Sequence, residues 1–330
     1  MDTVTDSVST EMPAPVQQLP SRAYLVSKMA ITILLAGFII FGNSMTIYAV
    51  TRTKKLRKIP TNMYVIGLAI ADTSVGFFII CIQTVHALTT NEVVIRNSVC
   101  WARAPYYTTI AVSTCTLLAI AIDRYIAIVH PLSYKTRMTT KRAIVVSALI
   151  WIAQLFVVGG TSCYYGTVVQ ISQIMTGNLV DLLPIPIFLG VVLPQVYLPV
   201  IGNIIVYSAI FVSIHSRKRV SDNADNKKPD KMAAAVTKMM MLILGYLLFA
   251  WLPYFCIAPL YGHDDIKPLW YIYLSHASII LLYTNSAVNP IIYSWMNRDF
   301  REAYKRILRC KRAATVEDSP NNTMKTDTAE

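Results

Sequence analysis

The sequence predicts an all-α membrane protein: a seven-transmembrane helix bundle followed by a short amphipathic eighth helix. Three observations lead there. The 330 residues are 55% hydrophobic and only 15% charged, with a mean hydropathy of +0.48, too apolar for an ordinary water-soluble domain. Seven separate apolar runs approach or exceed the roughly 20 residues that a helix needs to cross a hydrocarbon layer about 30 Å thick. Basic residues collect on one side of those runs. Isolated strands would leave backbone groups unpaired in lipid, so the runs are helices.

In order, the spans cover Val26–Val50, Met63–Leu88, Val99–Val129, Ile144–Gly160, Ile185–Ile214, Ala233–Leu260 and Leu269–Trp295. The chain thus divides into an N-terminal tail (1–25), the seven-helix domain (26–296), an amphipathic helix (297–310) and a polar tail (311–330). The N-terminal tail is polar, bears prolines and has no apolar stretch of signal-peptide length, so the first span is expected to serve as the insertion signal. Of the 30 Lys and Arg, only Arg22, Lys28, Arg96, Arg103 and Lys267 lie on the side shared with the N-terminus. The positive-inside rule therefore places the N-terminus outside and the C-terminus in the cytoplasm. The net charge of +12 follows mostly from this asymmetry and favours anionic membrane lipids as partners. Each basic cluster sits beside a span, which argues against nucleic acid.

Cysteine use fits the same orientation. Cys81, Cys115 and Cys256 fall within spans as small apolar residues. Cys100 and Cys163 fall at the outer, oxidising ends of the third and fourth spans and are candidates for a disulfide. Cys310 closes the amphipathic stretch, where it can carry a palmitoyl chain. In that stretch Phe300, Tyr304, Ile307 and Leu308 share one helical face, as in a helix lying on the inner membrane surface. The tail beyond it is polar and offers Ser and Thr for phosphorylation.

Charges inside spans are functional candidates, because an unpaired charge in hydrocarbon costs several kcal/mol. "LLAIAIDRYIAIVHPL" places Asp123 and Arg124 near the inner end of the third span, where each partly neutralises the other. Asp72, deep in the second span, must be protonated, hydrogen-bonded or paired with a cation. "TNSAVNP" in the seventh span supplies Asn285, Ser286 and Asn289, which with Ser113 and Asn43 form an oxygen-rich set able to hold a small hard cation such as Na⁺. The alternative is that Asp72 is simply a polar contact between helices. Pro199, Pro253 and Pro290 lie mid-span in the last three helices, where each removes a backbone hydrogen bond and permits a bend. Trp251, Tyr254 and Phe255 surround Pro253, with Tyr283 above Pro290, and these aromatics are pocket candidates. No phosphate-cradling loop, metal-ligand spacing or Ser-His-Asp arrangement is present, which argues against an enzyme.

Taken together, "GN" at Gly42-Asn43, "LAIAD" ending at Asp72 and "DRY" at Asp123-Arg124-Tyr125 carry a family resemblance. So do Trp151, Pro199 with Tyr207, "WLPY" from Trp251, and "NPIIY" from Asn289 to Tyr293. Over Val26 to Cys310 the chain resembles a rhodopsin-like (class A) G-protein-coupled receptor, nearest in wording to amine and adenosine receptors. The resemblance implies a plasma-membrane receptor in which Asp123, Arg124, Tyr125, Tyr207, Asn289, Pro290 and Tyr293 form the activation switch and G-protein contact. It implies outward motion of the sixth helix, which admits the C-terminal helix of a Gα subunit. It assigns Asp72, Ser113, Asn285, Ser286 and Asn289 to an allosteric sodium pocket, and arrestin and a kinase to the phosphorylated tail. The Cys100–Cys163 disulfide is implied too, although Cys100 is one residue nearer Arg124 than usual and Cys163 unusually near Trp151.

Departures from the family pattern sharpen the expectation. The sixth-helix acid that often restrains the arginine would fall at Ala233, so appreciable basal activity is expected. The aspartate of amine receptors is replaced by Tyr106. The Asn and His of adenosine receptors fall at Ala258 and Tyr283, and Tyr283 also replaces the retinal-binding Lys of visual pigments. The expected ligand pocket comprises Tyr106, Tyr107, Ile110, Gln195, Trp251, Tyr254, Phe255 and Tyr283, with His86, Arg103 and His276 near its rim. Such a lining suits a small neutral or weakly polar molecule better than a free cation. A constitutive or orphan receptor without a ligand is the alternative. A transporter would call for repeat symmetry, which the two halves of the chain lack.

Overall fold

The computed structural model describes residues 20–88, 92–161, 164, 190, 193–221, 231–257, 260 and 268–309. The long helices are α1 (Arg22–Arg52), α3 (Thr61–Leu88), α4 (Glu92–Val129), α6 (Thr140–Gln154, continued by a π-turn at Leu155–Gly159), α7 (Leu193–Ser221), α8 (Lys231–Ile257) and α9 (Leu269–Met296). Shorter ones are α2 (Lys54–Arg57) and α5 (Pro131–Arg137), which link long helices, and α10 (Arg298–Leu308) after the last. Seven long helices in the described residues match the seven apolar runs. Several extend past them: α4 starts at Glu92 rather than Val99, α6 at Thr140 rather than Ile144, and α7 continues beyond Ile214 to Ser221. Helices propagate cheaply once nucleated, so polar flanks join them and hydropathy underestimates their ends.

Among the described residues, four helices carry an apolar stretch long enough to cross a membrane: Arg22–Arg52, Thr61–Val85, Pro105–Val129 and Thr140–Gly159. The later helices spend positions on buried polar side chains, Asn203 in α7 and Asn285, Ser286 and Asn289 in α9.

Helix α4 is central and touches α3, α6, α7 and α8, while α1 packs on α3, α9 and α10. Two close approaches explain motif residues. A Cβ on Gly42 would lie 3.1 Å from Pro290 Cγ, so a side chain there would push α1 off α9. Pro290 has no N–H and leaves the Ser286 carbonyl, one turn back, without its helical donor. Asn43 supplies the replacement: its Nδ2 donates to Ser286 O at 2.9 Å and to Ile39 O at 3.0 Å. The Gly-Asn pair of α1 is therefore complementary to the Pro of α9.

Buried residues fall into two clusters. The larger runs from Leu56, Tyr64 and Leu68 through Ile120, Tyr207 and Ile243 to Trp251, Tyr293 and Phe300. The smaller comprises Ala36, Ile39, Val75, Ile79 and Ala287, with Tyr106 and Tyr283 against it. Helix α10 packs part of its apolar face on the bundle. It ends at Leu308, and its Phe300 and Tyr304 are buried in the larger cluster, whereas Leu308 is 62% exposed. Phe300 stacks on Tyr293 at 5.4 Å between ring centroids, and the Tyr304 hydroxyl is 2.7 Å from Thr46 Oγ1. The Asn297 side chain caps α10 by accepting from the backbone N–H groups of Asp299 and Phe300.

Candidate functional site

Asp123 and Arg124 sit in the last two turns of α4 with exposures of only 0% and 7%. Two buried charges are tolerable only when paired and fully hydrogen-bonded. Arg124 Nε donates to Asp123 Oδ2 at 3.0 Å, and its Nη2 reaches the same oxygen, the Thr61 hydroxyl and the Tyr134 hydroxyl, the last at 2.8 Å. Thr61 Oγ1 donates to Asp123 Oδ2 at 2.6 Å, and Tyr134 OH to Oδ1 at 3.1 Å. The guanidinium also lies 5.6 Å from the Tyr134 ring centroid. The node is thus a four-residue closure of α3, α4 and α5. Burial raises the Tyr134 phenol pKa above its ordinary value, and the Arg124 charge opposes that rise.

Thr61 and Tyr134 were not singled out from the sequence. Thr61 opens α3, and Tyr134 lies in α5, which Pro131 starts at its first helical position. Tyr125 points elsewhere, 6.3 Å from the His130 ring. Tyr207 and Tyr293 are both buried in the larger cluster, and the Tyr293 hydroxyl has no hydrogen-bond partner among the described residues.

One level further into the bundle, Asp72 is wholly buried. It accepts from Ser286 Oγ at 2.8 Å, Asn289 Nδ2 at 2.8 Å and Ser113 Oγ at 3.4 Å. Helices α3, α4 and α9 therefore meet on one carboxylate whose partners among the described residues are all neutral. Asn285 and Ser286 also line a cavity of about 20 Å³ together with Ser113, Val75, Tyr106, Ile110, Trp251 and Tyr283. That volume accommodates about one water, and its lining joins the polar set to the aromatic set. Tyr106 and Tyr283 meet edge to face across it, 6.0 Å apart at 88°.

A family model described as "7 transmembrane receptor (rhodopsin family)" matches residues 42–293, which takes in every feature just described. The chain belongs to the rhodopsin family of seven-transmembrane receptors. Over 292 residues, 83% of this chain and 77% of the other, it is 29% identical to the histamine H2 receptor of Canis lupus familiaris. It is 29% identical over 327 residues to the adenosine receptor A2b of Bos taurus, covering 88% and 92% of the two chains. It is 24% identical over 315 residues to the pyroglutamylated RF-amide peptide receptor of Rattus norvegicus, covering 87% and 70%. The protein is accordingly a class A G-protein-coupled receptor, a multi-pass protein of the plasma membrane and not an enzyme.

Within this receptor the remaining pocket candidates part company. Tyr107 is half-buried beside Tyr106, ring centroids 5.7 Å apart, and Tyr254 lies one turn beyond Trp251 on α8. Gln195 is not in the cavity wall: its Oε1 accepts from Gln154 Nε2 at 3.1 Å, and Gln154 Nε2 also lies 3.3 Å from Cys115 Sγ. Sequence reasoning missed Gln154, a lone amide on an apolar span. Tyr24 OH is 3.3 Å from His276 Nδ1 at the Tyr283 end of the bundle, another contact between α1 and α9. The side chains of Cys100, His86, Arg103, Ala233 and Phe255, and the whole of Cys163, Ala258 and Cys310, lie outside the described residues. The disulfide and palmitoyl expectations fall there.

Proposed function

We propose that this receptor senses a small, neutral or weakly polar extracellular molecule and turns over heterotrimeric G proteins when α8 swings outward. The single observation that carries the reading is the closed node on Arg124. Its polar partners among the described residues come from α3, α4 and α5, and none from α8. Helix α8 is instead tied to α9, where Tyr246 OH and Thr284 Oγ1 are 2.7 Å apart. Moving α8 therefore needs no ion pair with Arg124 to break, and the node is a restraint that an agonist or thermal motion can release. The asymmetry of basic residues supports an outside N-terminus, with the Arg124 end facing the cytoplasm. The tail's Ser and Thr make arrestin and a receptor kinase further partners.

The ligand reading rests on what the cavity lacks. Tyr106 stands where an amine receptor carries its aspartate, and the walls named above hold no charged side chain. An aromatic wall without a counter-charge penalises an unpaired organic cation. The residues around Asp72 fit a sodium ion, since a buried carboxylate with hydroxyl and amide oxygens and only neutral partners is a hard-cation donor set. Asp72, Ser113 and Ser286 would hold it, and the ion would supply positive charge that favours the resting packing. Constitutive signalling without a ligand is the second reading, favoured by the missing acid at Ala233.

The deciding experiment measures G-protein nucleotide exchange in membranes holding matched amounts of wild type and Arg124→Ala. Wild type exceeds receptor-free membranes and Arg124→Ala falls to their level. Identical output from both across all Gα classes and a ligand library contradicts the proposal.

A further inference from the structure

A second, larger hollow lies on the outside of the bundle, away from the chamber under Trp251. It is a groove of about 470 Å³ between α4 and α6, within the roughly 300–1,000 Å³ range of ligand sites. Ala119, Ile122 and Ile126 of α4 form one wall, Val145 and Val146 of α6 the other, and Tyr64 of α3 the floor. Every one of these faces is apolar or aromatic. At the Arg124 end the character changes abruptly: Met138, Lys141 and Arg142 close the groove. Arg142 is held at this mouth by donating from Nη1 to Thr136 O and Arg137 O at 3.3 and 2.6 Å, which leaves its other nitrogens available. The exposed Lys141 amine has no partner among the described residues, and no carboxylate lines the groove. Both cations occupy the first turn of α6, whose N-cap is Thr139, so the positive end of the helix dipole adds to their charge.

We propose that this groove binds one anionic glycerophospholipid, an acyl chain between α4 and α6 and the net-negative head group, free of a choline cation, on Lys141 and Arg142. Charge complementarity selects this occupant. An uncharged lipid would have no use for two cations without a counter-ion, and a soluble peptide could not reach walls at membrane depth. Basic pockets at the cytoplasmic ends of spanning helices are known lipid head-group sites, each cation contributing about fivefold in affinity. The site also bears on the Arg124 node. Ile122 and Ile126 flank Asp123 and Arg124 on α4, and Met138 caps α5, whose Tyr134 hydroxyl holds Asp123. A bound chain braces α5 against α4 and favours the closed node. Only the choice of leaflet and this signalling effect rest on the function proposed above.

The test is native mass spectrometry of full-length receptor taken from nanodiscs of equal phosphatidylcholine and phosphatidylserine, with sterol as a competitor. Wild type retains phosphatidylserine over phosphatidylcholine by fivefold or more. Lys141→Glu abolishes the preference, and Val146→Trp, which fills the groove from an exposed position, abolishes retention. Lys305→Glu on α10 removes equal charge elsewhere and leaves both intact. Unchanged preference in Lys141→Glu, or displacement of the lipid by sterol, overturns the site. Should Val146→Trp fail to fold, the Lys141→Glu and Lys305→Glu pair decides alone. Basal nucleotide exchange lower in phosphatidylserine discs for wild type, but not for Lys141→Glu, supports the link to the node. Lipid selectivity without that difference refutes the link and leaves the site standing.

Discussion

At the Arg124 end of the bundle, Thr61, Asp123, Arg124 and Tyr134 close a polar node on the edge of a continuous apolar core that extends into α10. At the Trp251 end, Tyr106 and Tyr283 stand over a chamber, backed by the small cluster around Ile39, Val75 and Ile79. One end satisfies its charges with its own side chains, and the other leaves polar and aromatic groups facing shared space. Packed cores are bistable rather than continuously deformable, so a tight node at one end can convert a small change at the other into a discrete step. Asp72 lies between them, bonded to α9 through Ser286 and Asn289 and to α4 through Ser113.

Substitutions at the two ends should therefore differ in kind. Asp123→Ala leaves the Arg124 guanidinium buried without its counter-charge and should cost about 3–5 kcal/mol of stability, read as a fall in melting temperature of the purified receptor. A melting temperature equal to wild type would mean that the node is solvated. Tyr134→Phe keeps the ring against Arg124 but deletes the hydroxyl that donates to Asp123. Hydrogen bonds to charged groups are worth about 1.5–3 kcal/mol, so basal nucleotide exchange should rise roughly tenfold, with little change in fold.

The opposite pattern is expected at the Trp251 end. Tyr106→Leu removes one ring of an edge-to-face pair worth about 0.5–1.5 kcal/mol beyond its area burial, so stability should fall by less than at Asp123. Agonist potency, once an agonist is found by screening, should fall at least tenfold. Equal losses of stability at both ends would erase the distinction.

The smallest effect belongs to an ion pair outside the bundle. Arg298 donates to Glu302 at 2.8 Å on the exposed face of α10. That hydrogen bond holds the Glu302 carboxyl below its ordinary value. A depressed carboxyl stabilises the fold above its unfolded pKa, about 4.3, and the benefit is lost as pH falls through the lower folded value. Solvent screens the pair, so Glu302→Gln should lower the melting temperature at pH 7 only marginally, and even that difference should vanish as pH falls below about 4.3.

Fold and motifs were legible because each span announces itself in local hydropathy, and because Pro290 and Asp123-Arg124 break local rules. What stayed hidden is pairing across helices. Nothing near Asn43 says that its amide serves the Ser286 carbonyl, 243 positions away, that Pro290 orphans. Thr61 and Tyr134 are ordinary residues until helix register aims them at Asp123. Gln195 is a further case: expected in the pocket lining, it accepts from Gln154 on another helix, a pairing that nothing beside it in the sequence announces. Depth can be read from a sequence; azimuth requires the neighbours. Amphipathicity gave the face of α10 correctly, yet Phe300 and Tyr304 join the protein core because Tyr293 presents a ring to stack on.

The central claim is that Arg124 is restrained from α3, α4 and α5 without an acid from α8. Basal nucleotide exchange by wild type and Ala233→Glu, at equal surface density and without ligand, tests it most directly. Wild type should exceed receptor-free membranes, and Ala233→Glu should lower that output severalfold by adding the missing carboxylate. Wild-type output at background, or Ala233→Glu indistinguishable from an elevated wild type, would contradict the account.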